Sequence, residues 1–378
     1  MLKLKKVSNY EEFKAYKYAW QKLLSESNES NVFLTYDWID ICIKNFCKFE
    51  DLLILNIFED ENLTGIAPLV IKKYKYFGLP VRSVRFIGTS ISDRMDFIIC
   101  GNKDECLSMI LDYLVSVKEK WDFIDLQEIA GYTGTMDAMG RCVKKTGLLN
   151  ITGPSKKSFF IEFNKNKDEI YNKFSKKYCA KLRKIDAGKP GLNFEMERHM
   201  GSCADKEKIF TVISEIEKNS WKGNKAGSLF SEQNHINFHK DIFERFSNNN
   251  WLDVSMLILN KEPVAYMYNY FYEGRSYNYS IAYDERFADI SPGTVLMFWV
   301  LKDSVFRDII EFDFARGEGS WKSRFTEMSR EHNRVRIFKP GAYSGILYIL
   351  QSKVMPYMKN QDIFYNAWMR TKGAFKWD

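Results

Sequence analysis

The chain has 378 residues, room for two or three domains at about 150 residues each. Its 45% hydrophobic and 28% charged residues exclude a wholly disordered or collagen-like chain, and 16% aromatics suit substantial cores with ring surface left for a ligand. A net charge of +7 spread over this length argues against a dedicated DNA binder and fits an enzyme that meets anionic ligands. Helical spacing marks residues 10–25, and Phe33 to Phe46 reads as a second helix capped by Thr35 or Asp37. Strands follow at Leu52–Ile57, Gly65–Ile71, Val84–Ile87 and Met95–Ile99, then a helix at 104–118 and a short buried strand at Phe123–Leu126. Gly, Pro, Ser and Lys gather at Gly147–Lys157, which predicts a break. Beyond it come a strand at Ser158–Phe163, a basic helix over 167–186, a strand at Leu192–Arg198, and helices at 205–218 and 231–247. A hairpin of Leu252–Leu259 with Val264–Tyr272, a strand at Arg275–Tyr283, a helix at Pro292–Phe306 and strands at Ile309–Phe314 and Arg334–Phe338 complete the pass.

The second half thus repeats the order of the first: helices, a run of strands, a helix, one more strand. This predicts an α/β (α+β) protein of mixed sheets flanked by helices, with domains at 1–152 and 153–345 and a helical tail at 346–378 docked on the core.

Four stretches carry chemistry. In Tyr277–Tyr283, alternation puts Tyr277, Tyr279, Ile281 and Tyr283 on one face and Asn278, Ser280 and Ala282 on the other, a small polar face with room for a ligand. Ser291-Pro292-Gly293-Thr294 then opens a helix, with Ser at the N-cap, Pro at the first helical position and Gly where a ligand approaches the backbone. Free N–H groups and the positive helix end suit an anion there; a well-capped helix with no ligand has the same sequence. In Ile310–Phe314, Asp313 sits between apolar residues, as a proton acceptor for an amine or in an ion pair with Arg316 or Lys322. Trp321-Lys322 opens the next helix, where the lysine reaches a phosphate or carboxylate or lies on a solvated face.

These marks resemble the CelD-like acetyltransferase family of the GNAT superfamily, related to the Fem-type aminoacyltransferases. The resemblance rests on Ser291-Pro292-Gly293 about 20 residues before Asp313-Phe314-x-x-Gly317-x-x-x-Trp321-Lys322-x-x-Phe325, and on the Ser220-Trp221-Lys222 turn. Phe33 with Trp38, Ala67-Pro68-Leu69 and Ser92-Asp93-x-x-Asp96-Phe97 resemble the family's N-terminal half; Trp321 replaces the commoner Tyr. The resemblance implies two tandem GNAT-like domains, with acetyl-CoA or another acyl-CoA as co-substrate bound in the second. Its pyrophosphate then sits at Ser291–Thr294 and its arm between strands 275–283 and 309–314, beside Asn278 and Ser280. Asp313 is expected as base and Tyr283 as the acid that protonates the thiolate. Trp221, Lys222, Arg316, Trp321 and Lys322 are expected on the substrate, and Asp93 and Asp96 on an acceptor cleft walled by a first domain without a donor site. The implied acceptor is a small-molecule amine of an amino sugar, sugar nucleotide or cell-envelope precursor, as in polysaccharide biosynthesis. A Fem-like use of aminoacyl-tRNA, with RNA on the basic helix, and a non-catalytic binding protein are the alternatives.

Other signals point away from competing chemistries. Seven cysteines, an odd number without Cys-x-x-Cys spacing, argue against a disulfide framework or zinc ribbon. His235 and His239 have helical metal spacing but lack a third ligand, so no metal is expected. Cys179 has no histidine nearby in sequence to make it a nucleophile. No apolar run approaches the roughly 20 residues of a membrane span, and Met1–Lys6 opens no signal peptide. The reading is a cytoplasmic protein without integral membrane association; the apolar stretch Tyr343–Met358 is expected to dock on the core.

Overall fold

The computed structural model describes residues 1–163, 180, 193–202, 205–223, 228–307, 309–317, 319 and 321–359. The chain divides into two units, Met1–Ser155 with Glu331–Asp378, and Lys156–Arg330.

In the first unit β1 (Leu2–Lys6), β2 (Leu52–Glu59), β3 (Asn62–Tyr76), β4 (Leu79–Phe86), β6 (Phe123–Ala130) and β13 (Ser329–Phe338) lie in that order. Each neighbouring pair is antiparallel except β4 and β6, which are parallel. The short β5 (Ile98–Ile99) pairs with β3. Before β2 come α1 (Tyr10–Ala15), α2 (Lys17–Glu26) and α3 (Tyr36–Phe46), the last capped by the Thr35 hydroxyl accepting the Trp38 N–H at 3.2 Å. The parallel connection between β4 and β6 contains α4 (Lys103–Ser116), and α5 (Thr135–Thr146) follows β6.

β7 (Leu149–Glu162) carries the chain across Ser155, so the expected break is an extended strand. Its second part joins the sheet of the second unit, ordered β7, β12 (Glu311–Arg316), β11 (Arg275–Tyr283), β10 (Glu262–Tyr272), β9 (Leu252–Leu259) and β8 (Phe194–Met200). β11 and β12 are the parallel pair and every other pair is antiparallel. The two units therefore share strand order and sense. Their sixth strands are exchanged in sequence: the final strand of the chain completes the first unit, whereas the sequence reading kept everything to residue 345 in the second.

Turn chemistry fixes the second sheet. Asn260 and Lys261 both have positive φ, as do Glu273 and Gly274, so β9–β10 and β10–β11 close through two-residue turns that match strand twist. On β10 the alternation is strict. Ala265 and Met267 join Val295, Leu296, Phe298 and Leu301 of α8 (Pro292–Phe306) in one core. Tyr266, Tyr268 and Tyr270 face α6 (Lys206–Asn219) and α7 (Gln233–Asn248), through Glu217, Phe243 and Phe246. After β13, α9 (Ala342–Ile349) sets Leu347 against Phe123 and Phe338, while Ile346 and Ile349 remain exposed. Helix α10 (Met355–Lys359) ends the described chain.

Candidate active site

β11 and β12 pair from Arg275 with Glu311 to Tyr277 with Asp313 and then diverge. β11 continues to Tyr283 against β10 alone, while β12 bends toward β7, pairing Arg316 with Ser158. The bend is at Ala315, a non-glycine residue with φ of 59°. Such a conformation persists where its surroundings enforce it. Here Asp313 Oδ1 accepts the Ala315 N–H at 2.7 Å, and the buried Lys322 ammonium donates to the carbonyls of Ala315 (2.8 Å) and Arg316 (3.0 Å). Asp313 Oδ2 lies 3.5 Å from Arg330, which pairs with Glu311. The ion-pair partner is thus Arg330, not Arg316 or Lys322. Lys322 lies on a short 3-10 turn, Lys322–Arg324, and is buried rather than on a solvated face. Trp321 packs on Phe314 and Phe325, and Arg316 is half-buried past the bend.

The expected small polar face is divided. The β10–β11 register shifts between Tyr268–Ser280 and Asn269–Asn278, leaving Tyr279 as an extra residue. Ser280 and Ala282 therefore share a face with Tyr266, whereas Asn278 joins Asn269 on the other and Tyr277 departs from Ile281 and Tyr283. Asn278 donates to Asn269 Oδ1 at 2.8 Å; Asn269 and Ser276 donate to Asp253 at 3.2 and 3.3 Å. Ser280 Oγ accepts from Lys222 Nζ at 2.9 Å, and Lys222 also donates to the Ile281 carbonyl at 2.9 Å. Tyr266 donates to Glu217 at 2.8 Å, and Glu217 lies 3.8 Å from Lys222. Burial lowers the Lys222 pKa from its ordinary value, with Glu217 acting against that shift. Trp221, beside it, is half-exposed. The sequence alone does not single out Glu217 or Tyr266. Glu217 was legible as a charge on the stripe Ile209, Ile213, Ile216, while Tyr266 looked like any strand aromatic.

At the end of β11, Ile281 and Tyr283 turn toward the start of α8. A side-chain carbon at Gly293 would lie 3.3 Å from Tyr283 and 3.9 Å from Ile281. Ser291 holds the N-cap position, but at φ 54° and ψ 53° it is left-handed and its hydroxyl does not cap the helix. Its carbonyl takes the Thr294 and Val295 N–H groups at 2.9 and 3.3 Å. Pro292 has no N–H, and among the described residues the Gly293 N–H donates to nothing. The first turn holds no acidic residue. Tyr283, Ser291, Pro292, Gly293 and Thr294 are thus assembled at one place, open to an anion.

Asp93 and Asp96 are buried in the first unit. Asp96 Oδ1 accepts the Phe97 N–H at 2.8 Å, and burial first, then Glu29, raise its pKa to about 7. Its unfolded value is near 3.8, so the folded state holds the extra proton between about pH 4 and 7 and loses stability as pH rises through that window. Asp96→Asn keeps the acceptor oxygen, and its melting temperature relative to wild type should climb from pH 5 to pH 8. A difference that stays flat in parallel thermal melts would contradict the assigned protonation.

His239 is enclosed by Phe230, Phe238, Tyr268 and Tyr279, and burial lowers its pKa to about 3. Among the described residues no group of three His, Cys, Asp or Glu could hold a metal, and no helix is long and apolar enough to cross a membrane. The basic helix over 167–186, with Cys179, lies outside the described residues save Ala180.

The divergent strand pair thus opens beside an uncharged helix start in the second unit. Residues 172–323 match the family model described as an acetyltransferase (GNAT) domain. The chain is similar in fold to FemX, with 13% identity, 92% of this chain and 99% of that one covered, and a TM-score of 0.61. It is also similar to L-PGS from Bacillus licheniformis (13% identity, 91% and 96% covered, TM-score 0.52). A tandem GNAT protein from the clavulanic acid biosynthesis pathway is a third likeness, at 9% identity, 90% and 100% covered and TM-score 0.51. No curated protein matches the sequence. Residues 172–323 thus match a GNAT domain, and the fold of the chain is like that of FemX and of a tandem GNAT protein.

Proposed function

We propose that the protein transfers an acyl group from a CoA thioester to an amine, with the donor in the second unit. The observation that carries this reading is the opening between β11 and β12 beside an uncharged, glycine-bearing helix start. The first unit offers no equivalent. There Asn102 caps α4 by accepting the Glu105 N–H at 3.2 Å, and Asp104 and Glu105 fill the first turn with charge that repels a pyrophosphate. In the reaction the amine nitrogen attacks the thioester carbon, the C–N bond forms, the C–S bond breaks, and the amine loses a proton as the thiolate gains one. Alignment of the two reactants supplies roughly 7–11 kcal/mol, against a factor of about 10²–10⁴ from a general base. Tyr283, next to Gly293, is assigned the protonation of the thiolate.

Asp313 Oδ1 accepts the Ala315 N–H at the bend and Oδ2 lies 3.5 Å from Arg330, so its assigned role is to hold that bend, and the amine proton leaves through water. Asp313→Asn keeps an oxygen for the Ala315 N–H and should leave the pH profile of transfer unchanged. A loss of about 10²–10⁴ in rate with a displaced acid limb would restore it as the base. The acceptor is proposed to be an amino sugar, sugar nucleotide or cell-envelope precursor, in keeping with the family resemblance.

The deciding experiment is a thermal-shift titration with CoA, acetyl-CoA and longer acyl-CoAs. Ligand at about 100 times its dissociation constant adds roughly 2.7 kcal/mol, a rise of several degrees in a domain of this size. No shift with any CoA would overturn the proposed donor and turn attention to aminoacyl-tRNA, through salt-dependent RNA binding.

A further inference from the structure

We propose that the first unit carries a binding site for a phosphate or diphosphate group, built from Arg85 on β4 and Arg334 and Arg336 on β13 around Asp125 on β6. The register places these side chains together on one sheet face. Arg336 is the direct partner of Asp125, Arg334 precedes it at a bulge, and Arg85 follows Val84, the partner of Ile124.

The charges do not balance. Asp125 is fully buried and forms one bidentate pair, with Arg334 Nε and Nη2 at 2.5 Å. Arg336 reaches it through Nε at 3.4 Å, and Arg85 stands 3.8 Å away, beyond hydrogen-bond distance. Gln127 takes further acceptor capacity of the same carboxylate at 2.9 Å. Three cations thus share one anion, and the Arg85 Nε is buried with no acceptor. Among the described residues no second carboxylate pairs with any of the three. Burial, then the like charge of Arg334, lowers the Arg336 pKa from the usual guanidinium value despite Asp125. The group is left with positive charge in excess, as a phosphate or diphosphate requires.

Geometry makes the site specific and reachable. The Tyr74 ring lies under the Arg85 guanidinium at 4.4 Å and orients it. Side-chain exposures of 17%, 30% and 18% for Arg85, Arg334 and Arg336 leave the forks open to solvent at their edges. Planar guanidinium forks match phosphate oxygens two at a time, which a lysine cluster does not. The site lies wholly within the first unit and does not depend on where the acyl donor binds.

The test is calorimetric and thermal-shift titration of the full chain with inorganic phosphate, pyrophosphate and UDP-glucose at constant ionic strength. Saturable binding is expected, weakened at least tenfold in Arg336→Gln and Arg85→Gln, with Arg336→Lys between them and wild type. Arg85→Gln removes no hydrogen bond to Asp125, so it reports on binding without loss of the fold. In Gly293→Glu, where the helix start of the second unit no longer takes an anion, a saturable pyrophosphate response that depends on Arg85 and Arg336 should remain. Tighter binding of UDP-glucose than of pyrophosphate would place the group on a nucleotide sugar; the reverse order would place it on a free anion. Absence of saturable binding in wild type, an unchanged response in both glutamine variants, or its loss with Gly293→Glu would overturn the assignment.

Discussion

Gly293→Glu is expected to abolish the acyl-CoA thermal shift while leaving the melting temperature of the free protein nearly unchanged. The two effects have separate causes. Gly293 has ordinary helical backbone, so a side chain there meets no left-handed strain; its first carbon would touch the Tyr283 ring at 3.3 Å, a contact a small rotation relieves. A carboxylate in the first turn of α8 also interacts favourably with the helix dipole, by about 0.3–1 kcal/mol. The same carboxylate occupies the space over the Gly293 N–H and places a negative charge where the pyrophosphate would lie. Losing a ligand worth roughly 2.7 kcal/mol at saturation removes a shift of several degrees. A shift that survives Gly293→Glu would move the donor away from α8, and with it the proposed function.

How far the sequence revealed this site follows from the range over which each signal acts. Local signals were readable: the two-residue turn at Asn260-Lys261, the Thr35 cap, the start of α8 at Pro292, and the boundaries of β9 through β12 within a few residues. Signals that depend on a partner strand were not. Alternation through Tyr277–Tyr283 predicts one polar face, but the extra residue at Tyr279 moves Asn278 to the opposite side, and that bulge is a property of the pairing with β10. Likewise Lys322 reads as a solvated lysine until the bend at Ala315 presents two carbonyls to it. Arg334–Phe338 read as a strand of the second domain because it follows that domain in sequence. Its pairing with β6 is a long-range contact that no local pattern encodes. Glu217 is the intermediate case, since a charge on an apolar helix stripe demands a buried partner without naming it.

Asp253→Ala should show the opposite behaviour to Gly293→Glu: a large loss of stability with donor affinity preserved. Asp253 is fully buried on β9 and holds Arg198 of β8 in a bidentate pair, at 2.9 and 2.7 Å. The same guanidinium reaches α8 through the Val300 carbonyl (3.2 Å), Asp303 (3.0 Å) and Ser304 (3.1 Å). This one arginine therefore fastens the later turns of α8 to the sheet edge. Removing the carboxylate leaves a buried guanidinium short of its main partner and strips an acceptor from Asn269 and Ser276, a cost of about 3–5 kcal/mol. For a domain of this size that is a fall of roughly 6–20 °C in melting temperature. Val300 to Ser304 lie some two turns or more beyond Gly293, at about 1.5 Å per residue, so the anion-binding turn keeps its own hydrogen bonds. Calorimetry with CoA well below the melting transition should return an affinity within threefold of wild type. The double variant Arg198→Met/Asp253→Leu should recover part of the lost stability, because replacing both buried charges by apolar groups removes the uncompensated cation. A melting temperature within two or three degrees of wild type for Asp253→Ala would mean that Asp303 alone satisfies Arg198. A parallel loss of CoA affinity would mean that the whole of α8, and not its first turn, sets the donor site.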